Sequence, residues 1–456
     1  MSITAINPAT EQIIATYETL DNSQLEGRIN GAQQRFQEWK KVPFQERSRL
    51  MNALAEELRN NVEEYAKLAS QEMGKTFISA KGEVNKCAWV CEYYAENAHT
   101  FLADERVNTA AQKSYVSYQP LGVILGVMPW NYPYWQVFRF AVPALMAGNT
   151  VLMKHAPNVQ ACAQLIEKMF RKVGFPEGLL TNILIETEAV ASVIAHPFVK
   201  AVTLTGSEKA GSAVASEAGK HIKKAVLELG GSDPYIILED ADLDLAVEVC
   251  VKGRLKNNGQ SCIGAKRFIV VDAIYDEFLA RFKDKMAAAK MGDPFAEDTV
   301  LGPLARPDLR DNLHRQVQES IEKGAQCILG GKIPDGVGSF YPATILTDVK
   351  PGMPAYEEEL FGPVAALFSV KDEAAAIQIA NDTNFGLGAA VFTQDIARGE
   401  RIAKEELEAG SCFVNGMVGS DPRLPFGGIN ISGYGRELSH YGIREFTNIK
   451  TVSIQQ

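Results

Sequence analysis

Between Leu121 and Gly416 the chain repeats one pattern: a short apolar run, an amphipathic stretch, then another apolar run. "VILGVM", "TVLMK", "NILI", "AVTLT" and "AVLEL" read as strands up to Leu229. "YIILED", "RFIVV", "ILGG", "AALFSV", "AAVFT" and "CFVNG" continue the series from Tyr235. Parallel strands need a crossover long enough to hold a helix. "VQACAQLIEKMFRKVGFPEG" supplies one, closed by Gly and Pro. The pattern therefore predicts an α/β protein with parallel sheets covered by helices on both faces. At 456 residues the chain is too long for one core, and two α/β units are expected, meeting near Gly230–Gly231.

The first third reads as helical. From Arg47 to Met73, apolar residues recur at spacings of three and four, which predicts one helix stopped by Gly74. A second helix is expected from about Ser79 to Leu102. "VNTAAQKSYVSYQP" alternates weakly, like an exposed strand pair. The C-terminal "KTVSIQQ" reads as a lone strand that needs a partner edge, from this chain or another subunit.

Charge and cysteine usage exclude several classes. The net charge is −10 and no Lys/Arg block appears, so no nucleic-acid partner is expected. The longest apolar run, Leu121 to Trp130, is too short to span a bilayer. "MSITAINPATEQ" has neither the basic nor the apolar region of a signal peptide. The seven cysteines are scattered, form no C-x-x-C, and have no histidines clustered near them. That pattern argues against a disulfide framework and a metal site, and predicts a reducing, cytoplasmic setting.

One of those cysteines stands apart. Cys262 lies in "LKNNGQSCIGAKR", behind three small polar residues and a glycine that mark an irregular loop. A free cysteine is ordinarily a small buried hydrophobe. On a polar loop it is reachable, and its N–H is free to donate to an oxyanion. A thiolate nucleophile needs a base or a positive field, and no histidine lies near it in the sequence. Glu228 is the alternative base. It sits inside the apolar run "AVLEL", where a carboxylate is costly unless paired or functional, and where burial raises its pKa toward general-base duty. Asn131 follows the strand "VILGVM" in "MPWNYPYW", at the carboxyl end where α/β sheets bind ligands. Its amide suits an oxyanion, or equally a turn or helix cap. For a cofactor, "LTGSEKAG" places Gly206, Ser207 and Gly211 on a strand-to-helix turn whose N–H groups attract phosphate, and Lys154 ends the strand "TVLMK".

In this order the chain closely resembles the aldehyde dehydrogenase superfamily over nearly its whole length. The motifs "MPWNYP", "GNTVLMK", "TLTGSEKAG", "LELGGSDP", "NNGQSCIGAKRF", "EELFGPV" and "LPFGGINISGYGREL" carry the likeness. The resemblance implies Cys262 as nucleophile, Glu228 as the base for the deacylating water, and Asn131 with the Cys262 N–H as oxyanion hole. It implies that Trp130, Lys154, Pro157, Gly206, Ser207, Gly211, Glu359 and Phe361 contact a nicotinamide dinucleotide. The implied sequence is a thiohemiacetal, hydride transfer to the nicotinamide, then thioester hydrolysis. It also implies a cofactor-binding domain (1–102 and 121–230), a catalytic domain (231–430), and an oligomerisation element (103–120 and 431–456) serving a homodimer or homotetramer.

Two departures from the family bear on selectivity. NAD-preferring members often carry Glu three residues after this lysine. Here the run is Lys154, His155, Ala156, Pro157, so a 2′-phosphate is not repelled and Lys154 and His155 could attract it. The cofactor is expected to be NADP or NAD, with NADP accepted. No cysteine flanks Cys262, which removes a local disulfide switch.

For the aldehyde, Arg139 lies four residues after Trp135 on the helix expected from Pro133. Succinate-semialdehyde dehydrogenases have an Arg at this offset from the Asn, a cation where this chain has Lys256, and a serine where it has Ser420. The expectation is an aldehyde acid, succinate semialdehyde first, with Arg139 clamping its carboxylate. Glutarate semialdehyde or another aliphatic aldehyde is the alternative substrate. A cofactor-independent cysteine esterase is the alternative chemistry, and a non-catalytic role is disfavoured by the intact Cys262, Glu228 and Asn131.

Overall fold

The computed structural model describes residues 2–455. Two sheets carry the chain's chemistry. In the first, the strands run in the order Gly433–Tyr434, Lys224–Glu228, Val199–Thr205, Val123–Met128, Thr150–His155, Leu180–Asn182. In the second they run Gln326–Leu329, Thr344–Thr347, Val364–Val370, Arg267–Val271, Pro234–Ile237, Gly388–Phe392, Ser411–Val414. All neighbours are parallel except Gly433–Tyr434 and Gln326–Leu329, which close one edge of each sheet. Helices cover both faces of both sheets, so the central strands are buried throughout and read as continuous apolar runs. The expected α/β architecture is observed.

Local chemistry explains where the structure departs from expectation. The apolar stripe 47–73 is two helices, Phe44–Asn60 and Val62–Met73, with Asn61 between them at φ −121° and ψ 24°. Asn61 Nδ2 donates to the Glu57 carbonyl at 2.9 Å, a side-chain bond that competes with helix continuation. Gly74 does end the second helix, at φ 78°, and a Cβ there would lie 2.7 Å from the Pro303 carbonyl oxygen. The strand assigned to "NILI" falls earlier, at Leu180–Asn182, with Ile183 N–H adding one bond to the Met153 carbonyl at 2.9 Å. Ser2–Ile6 and Ile13–Glu18 form a hairpin that the sequence reading did not find.

The C-terminal strand finds its edge within the chain. Thr447–Ile454 pairs antiparallel with Lys113–Pro120 along its length, and Glu105–Val107 pairs on the other side. The stretch 431–456 is also not one element, because Gly433–Tyr434 joins the first sheet beside Leu227 and Glu228.

The helix that carries Arg139 spans Trp135–Met146, and a buried carboxylate holds its start. Glu83 Oε1 accepts from the N–H groups of Tyr134 at 2.8 Å and Trp135 at 2.9 Å. Its other oxygen pairs with the equally buried Lys75. Glu72 does the same for the helix Gln160–Lys172, accepting from Ala161 and Cys162 N–H at 2.8 and 2.9 Å. Helix N-termini favour anions, and a buried N–H left bare is costly, so these two glutamates fasten the N-terminal helices to the first sheet. Glu83→Ala strands the Lys75 ammonium and two N–H groups, and is expected to cost about 3–5 kcal/mol. Glu83→Gln keeps an acceptor for the N–H groups and should cost less. The urea midpoints of the two variants, compared with wild type, check the order.

Candidate active site

The loop "LKNNGQSCIGAKR" turns left-handed three times in succession. Asn257, Asn258 and Gly259 have φ of 56°, 58° and 73°. Asparagine tolerates this region because its side chain can bond locally, and here both amides reach further. Asn257 Nδ2 donates to the carbonyls of Asn131 at 2.9 Å and Gln260 at 3.0 Å. Asn258 Nδ2 donates to those of Gly74 at 3.0 Å and Pro303 at 2.9 Å, and its Oδ1 accepts from Gly302 N–H at 2.9 Å. Gly259 admits no side chain, since a Cβ would sit 2.2 Å from the Gly362 carbonyl carbon. The turn delivers Cys262, half-buried, to the inner wall of a cavity of about 470 Å³ between the two sheets.

The structure brings Cys262, Asn131, Trp130, Gly206, Ser207, Glu359 and Phe361 to that one cavity. Asn131 follows the strand Val123–Met128, and its Nδ2 donates to the Gln260 carbonyl at 3.1 Å, beside the nucleophile loop. Ser207 caps the helix Glu208–Lys220, so its free N–H groups face the cavity. Trp130 and Phe361 meet edge to face at 5.7 Å. Gly230 and Gly231 let the walls close: a Cβ on Gly231 would lie 2.7 Å from the Cys262 carbonyl oxygen, and one on Gly230 2.7 Å from Glu359 Oε2. Glu359 accepts from Gly231 N–H at 3.1 Å and pairs with Lys266 at 3.2 Å. Lys266 also donates to the Cys262 and Ser261 carbonyls at 2.6 and 3.0 Å, so it binds the two sides of the site together.

Glu228 ends its strand only 2% exposed, with neither carboxylate oxygen hydrogen-bonded. Gly427, at φ 150°, lets the backbone approach, since a Cβ there would lie 2.7 Å from Glu228 Oε1. Burial and then the Glu437 charge hold Glu228 well above the carboxylate range, with Arg139 and Arg436 pulling it down. Burial pushes the Cys262 thiol up to about 12, against Arg139 and Lys266. Burial thus favours the protonated form of both groups, and the Arg139 charge favours ionisation of each.

That role displaces the one expected for Arg139. Its guanidinium is 2% exposed, pairs with the buried Glu437, approaches Thr205 Oγ1 at 3.3 Å, and stacks over Phe426 at 4.5 Å. A guanidinium committed to a buried carboxylate is not free to fork onto a substrate, so the clamp reading is corrected. His155 is corrected as well. Its Nδ1 accepts from Ala156 N–H at 2.9 Å, which leaves Nε2 to donate to the Pro133 carbonyl at 2.8 Å. Burial lowers it to about 4, so it is neutral and offers nothing to a phosphate. Gly211 has a packing reason: a Cβ would meet Leu229 Cδ1 at 2.6 Å, and the residue does not line the cavity. Lys154 and Pro157 lie outside the lining too; Lys154 is buried, and burial lowers it against the raising charges of Glu186 and Glu188. Trp135, Lys256 and Ser420 sit away from the cavity, around Lys86. Lys86, Lys266 and Glu437 escaped the sequence reading because a charged residue at a helix or loop position looks solvated until its partner is seen.

The chain belongs to the aldehyde dehydrogenase family, whose sequence model matches residues 1–452. It is 48% identical to succinate-semialdehyde dehydrogenase [NADP(+)] 1 of Mycobacterium tuberculosis, over 100% of both chains. It is 45% identical to the succinate semialdehyde dehydrogenase [NAD(P)+] of Escherichia coli, over 98% of this chain and 97% of that one. The crystal structure of succinic semialdehyde dehydrogenase from Streptococcus pyogenes with NADP+ superposes at a TM-score of 0.97, with 38% identity and complete coverage of both chains.

A thiol at about 12 alkylates slowly at pH 7, and its rate should rise about tenfold per pH unit through pH 9. Iodoacetamide labelling of Cys262, read by peptide mass spectrometry against pH, checks this. Arg139→Gln removes a stabilising cation and should slow the reaction further at each pH.

Proposed function

We propose that the chain oxidises succinate semialdehyde to succinate with NADP+ or NAD+, using Cys262 as nucleophile. The observation that carries this reading is a single cavity that opens on a helix N-terminus at Ser207 and ends on Cys262 and Asn131. The names of relatives near half identity along the whole chain supply the substrate.

The residues present fit a dinucleotide. The N–H groups at Ser207 and Glu208 suit its phosphates, Trp130 and Phe361 offer apolar walls, and Glu359 is a carboxylate placed for a ribose. Lys154 is the remaining cation for an adenosine phosphate, now that His155 is neutral. A bound dinucleotide supplies the hydride acceptor that converts the tetrahedral adduct to a thioester. The rest falls to the chain. The Cys262 thiolate adds to the aldehyde carbon, and the Cys262 N–H and Asn131 amide stabilise the oxyanion. The ionised Glu228 takes a proton from water, which attacks the thioester and releases the acid and the thiolate.

An exposed edge sheet supports assembly into a homo-oligomer. The strand Thr447–Ile454 is solvent-facing, with Ile449 63% exposed. An uncovered strand of that length is a template for pairing with a second copy. The unpaired thiols suit a reducing cytoplasm. No helix among the described residues is long and apolar enough to cross a membrane.

Three measurements test the reading. Wild type should prefer succinate semialdehyde to butanal in kcat/KM. Its kcat/KM for NAD should not exceed that for NADP by more than about tenfold, or roughly 1.4 kcal/mol. Cys262→Ala should abolish turnover, whereas Glu228→Gln should keep a first-turnover burst of reduced cofactor and lose about 10²–10⁴-fold in steady state. Survival of turnover in Cys262→Ala would overturn the mechanism.

A further inference from the structure

One buried ammonium holds both peptide groups that flank the nucleophile. Lys266 stands where the strand Arg267–Val271 begins, fully buried. Its N–H donates to the Asp233 carbonyl at 3.1 Å and its carbonyl accepts from Ala366 N–H at 3.0 Å, so the strands on either side grip its backbone. From that base the side chain reaches back over the loop. Nζ donates to the Ser261 carbonyl at 3.0 Å and the Cys262 carbonyl at 2.6 Å, and it pairs with Glu359 at 3.2 Å. An ammonium has three donors, and these acceptors occupy all of them.

A trans peptide points its C=O and N–H in opposite directions. The bond between Ser261 and Cys262 is trans, so a cation on the Ser261 carbonyl aims the Cys262 N–H away from Lys266 and polarises it as a donor. That N–H has no acceptor among the described residues, which leaves it free for an oxyanion. The contact at the Cys262 carbonyl sets the next plane. With both planes fixed, so are the two soft dihedrals at Cys262, and the direction of its side chain follows. Gly264 N–H also bonds the Ser261 carbonyl, at 3.0 Å, but it belongs to the loop and moves with it. Lys266 instead refers these peptides to the second sheet.

We infer that Lys266 is a positioning residue that aims the Cys262 N–H at the aldehyde oxyanion, acting through the Ser261–Cys262 peptide. The assignment rests on the reading of Cys262 as nucleophile toward an aldehyde. It gives a role to a lysine that the family likeness left unassigned. The same charge acts on the thiol, since burial pushes Cys262 up and Arg139 and Lys266 oppose it. A test must therefore separate the oxyanion from the thiolate.

Alkylation by iodoacetamide needs the thiolate and forms no oxyanion, whereas addition to an aldehyde needs both. Two rates are measured at one pH in wild type, Lys266→Met, Lys266→Gln and Asn131→Ala. One is single-turnover cofactor reduction by succinate semialdehyde with saturating NADP+, in stopped flow. The other is iodoacetamide alkylation of Cys262 without cofactor, by peptide mass spectrometry. Loss of an oxyanion donor costs about 10²–10³-fold, so the ratio of reduction to alkylation should fall at least about tenfold in Lys266→Met. Lys266→Gln keeps an N–H donor and should lose less, at least about threefold, and Asn131→Ala should show the same signature because it removes the other donor. If Lys266 serves only the fold or the ionisation of the thiol, the two rates fall together. A ratio within about threefold of wild type in both Lys266 variants overturns the assignment and leaves the aldehyde reading intact. If Lys266→Met does not fold, Lys266→Gln decides by the same criterion. No cofactor reduction in wild type overturns the aldehyde reading itself.

Discussion

The left-handed run Asn257-Asn258-Gly259 is the constraint on which the site depends. Three successive residues in that region cost backbone energy, and the cost is met by side-chain amides that bond outward as well as within the loop. Asn257 ties the turn to the Asn131 carbonyl in the first α/β unit, and Asn258 ties it to Gly74 and Pro303. The nucleophile loop is thereby anchored to the N-terminal helices, the first sheet and the second unit at once. That anchoring fixes Cys262 relative to the Asn131 amide, two residues that are 131 positions apart in the chain. Movement of any one anchor would be felt at the thiol.

The buried charges follow a common rule. Lys75–Glu83 and Arg139–Glu437 each place a full ion pair inside the protein, where desolvation is expensive. Each has further duties that a hydrophobic pair could not perform. Glu83 closes the N-terminus of the helix that carries Arg139. Glu437 and Arg139 set opposing fields on Glu228, one holding its proton and the other releasing it. The same guanidinium acts on Cys262, so one cation couples the nucleophile and the base. Burial favours the neutral form of this carboxylate, which has no hydrogen-bond partner, and the Arg139 charge opposes that preference.

Periodicity made the two parallel sheets readable, because strands buried on both faces must be apolar throughout. It also put Glu228 within a strand and left Asn131 and Cys262 on the segments between elements. It failed where a single side chain overrode the pattern, as Asn61 does in splitting one apolar stripe into two helices. It failed again wherever function depends on which partner a charge meets. Arg139 has the right offset to face a substrate, but nothing local to it indicates that Glu437, almost three hundred residues later, occupies the guanidinium. Lys86 gives the opposite case. Its sequence setting is an ordinary amphipathic helix, and only the structure shows that it meets Ser420 and the Trp135 ring.

The same limit applies to cofactor choice. The absence of a carboxylate three residues after Lys154 removes a known obstacle to a 2′-phosphate, but the structure sets two others in its field, Glu186 and Glu188, from the loop after the strand Leu180–Asn182. His155 contributes no charge, because its ring is turned inward to the Pro133 carbonyl. A 2′-phosphate held at Lys154 would meet one partly desolvated ammonium on which the Glu186 and Glu188 charges act, a smaller electrostatic advantage than the sequence pattern suggests. A single cation opposed in this way would discriminate less between the two dinucleotides than an unopposed one. A weakened preference of this kind fits relatives named for NADP(+) and for NAD(P)+ alike.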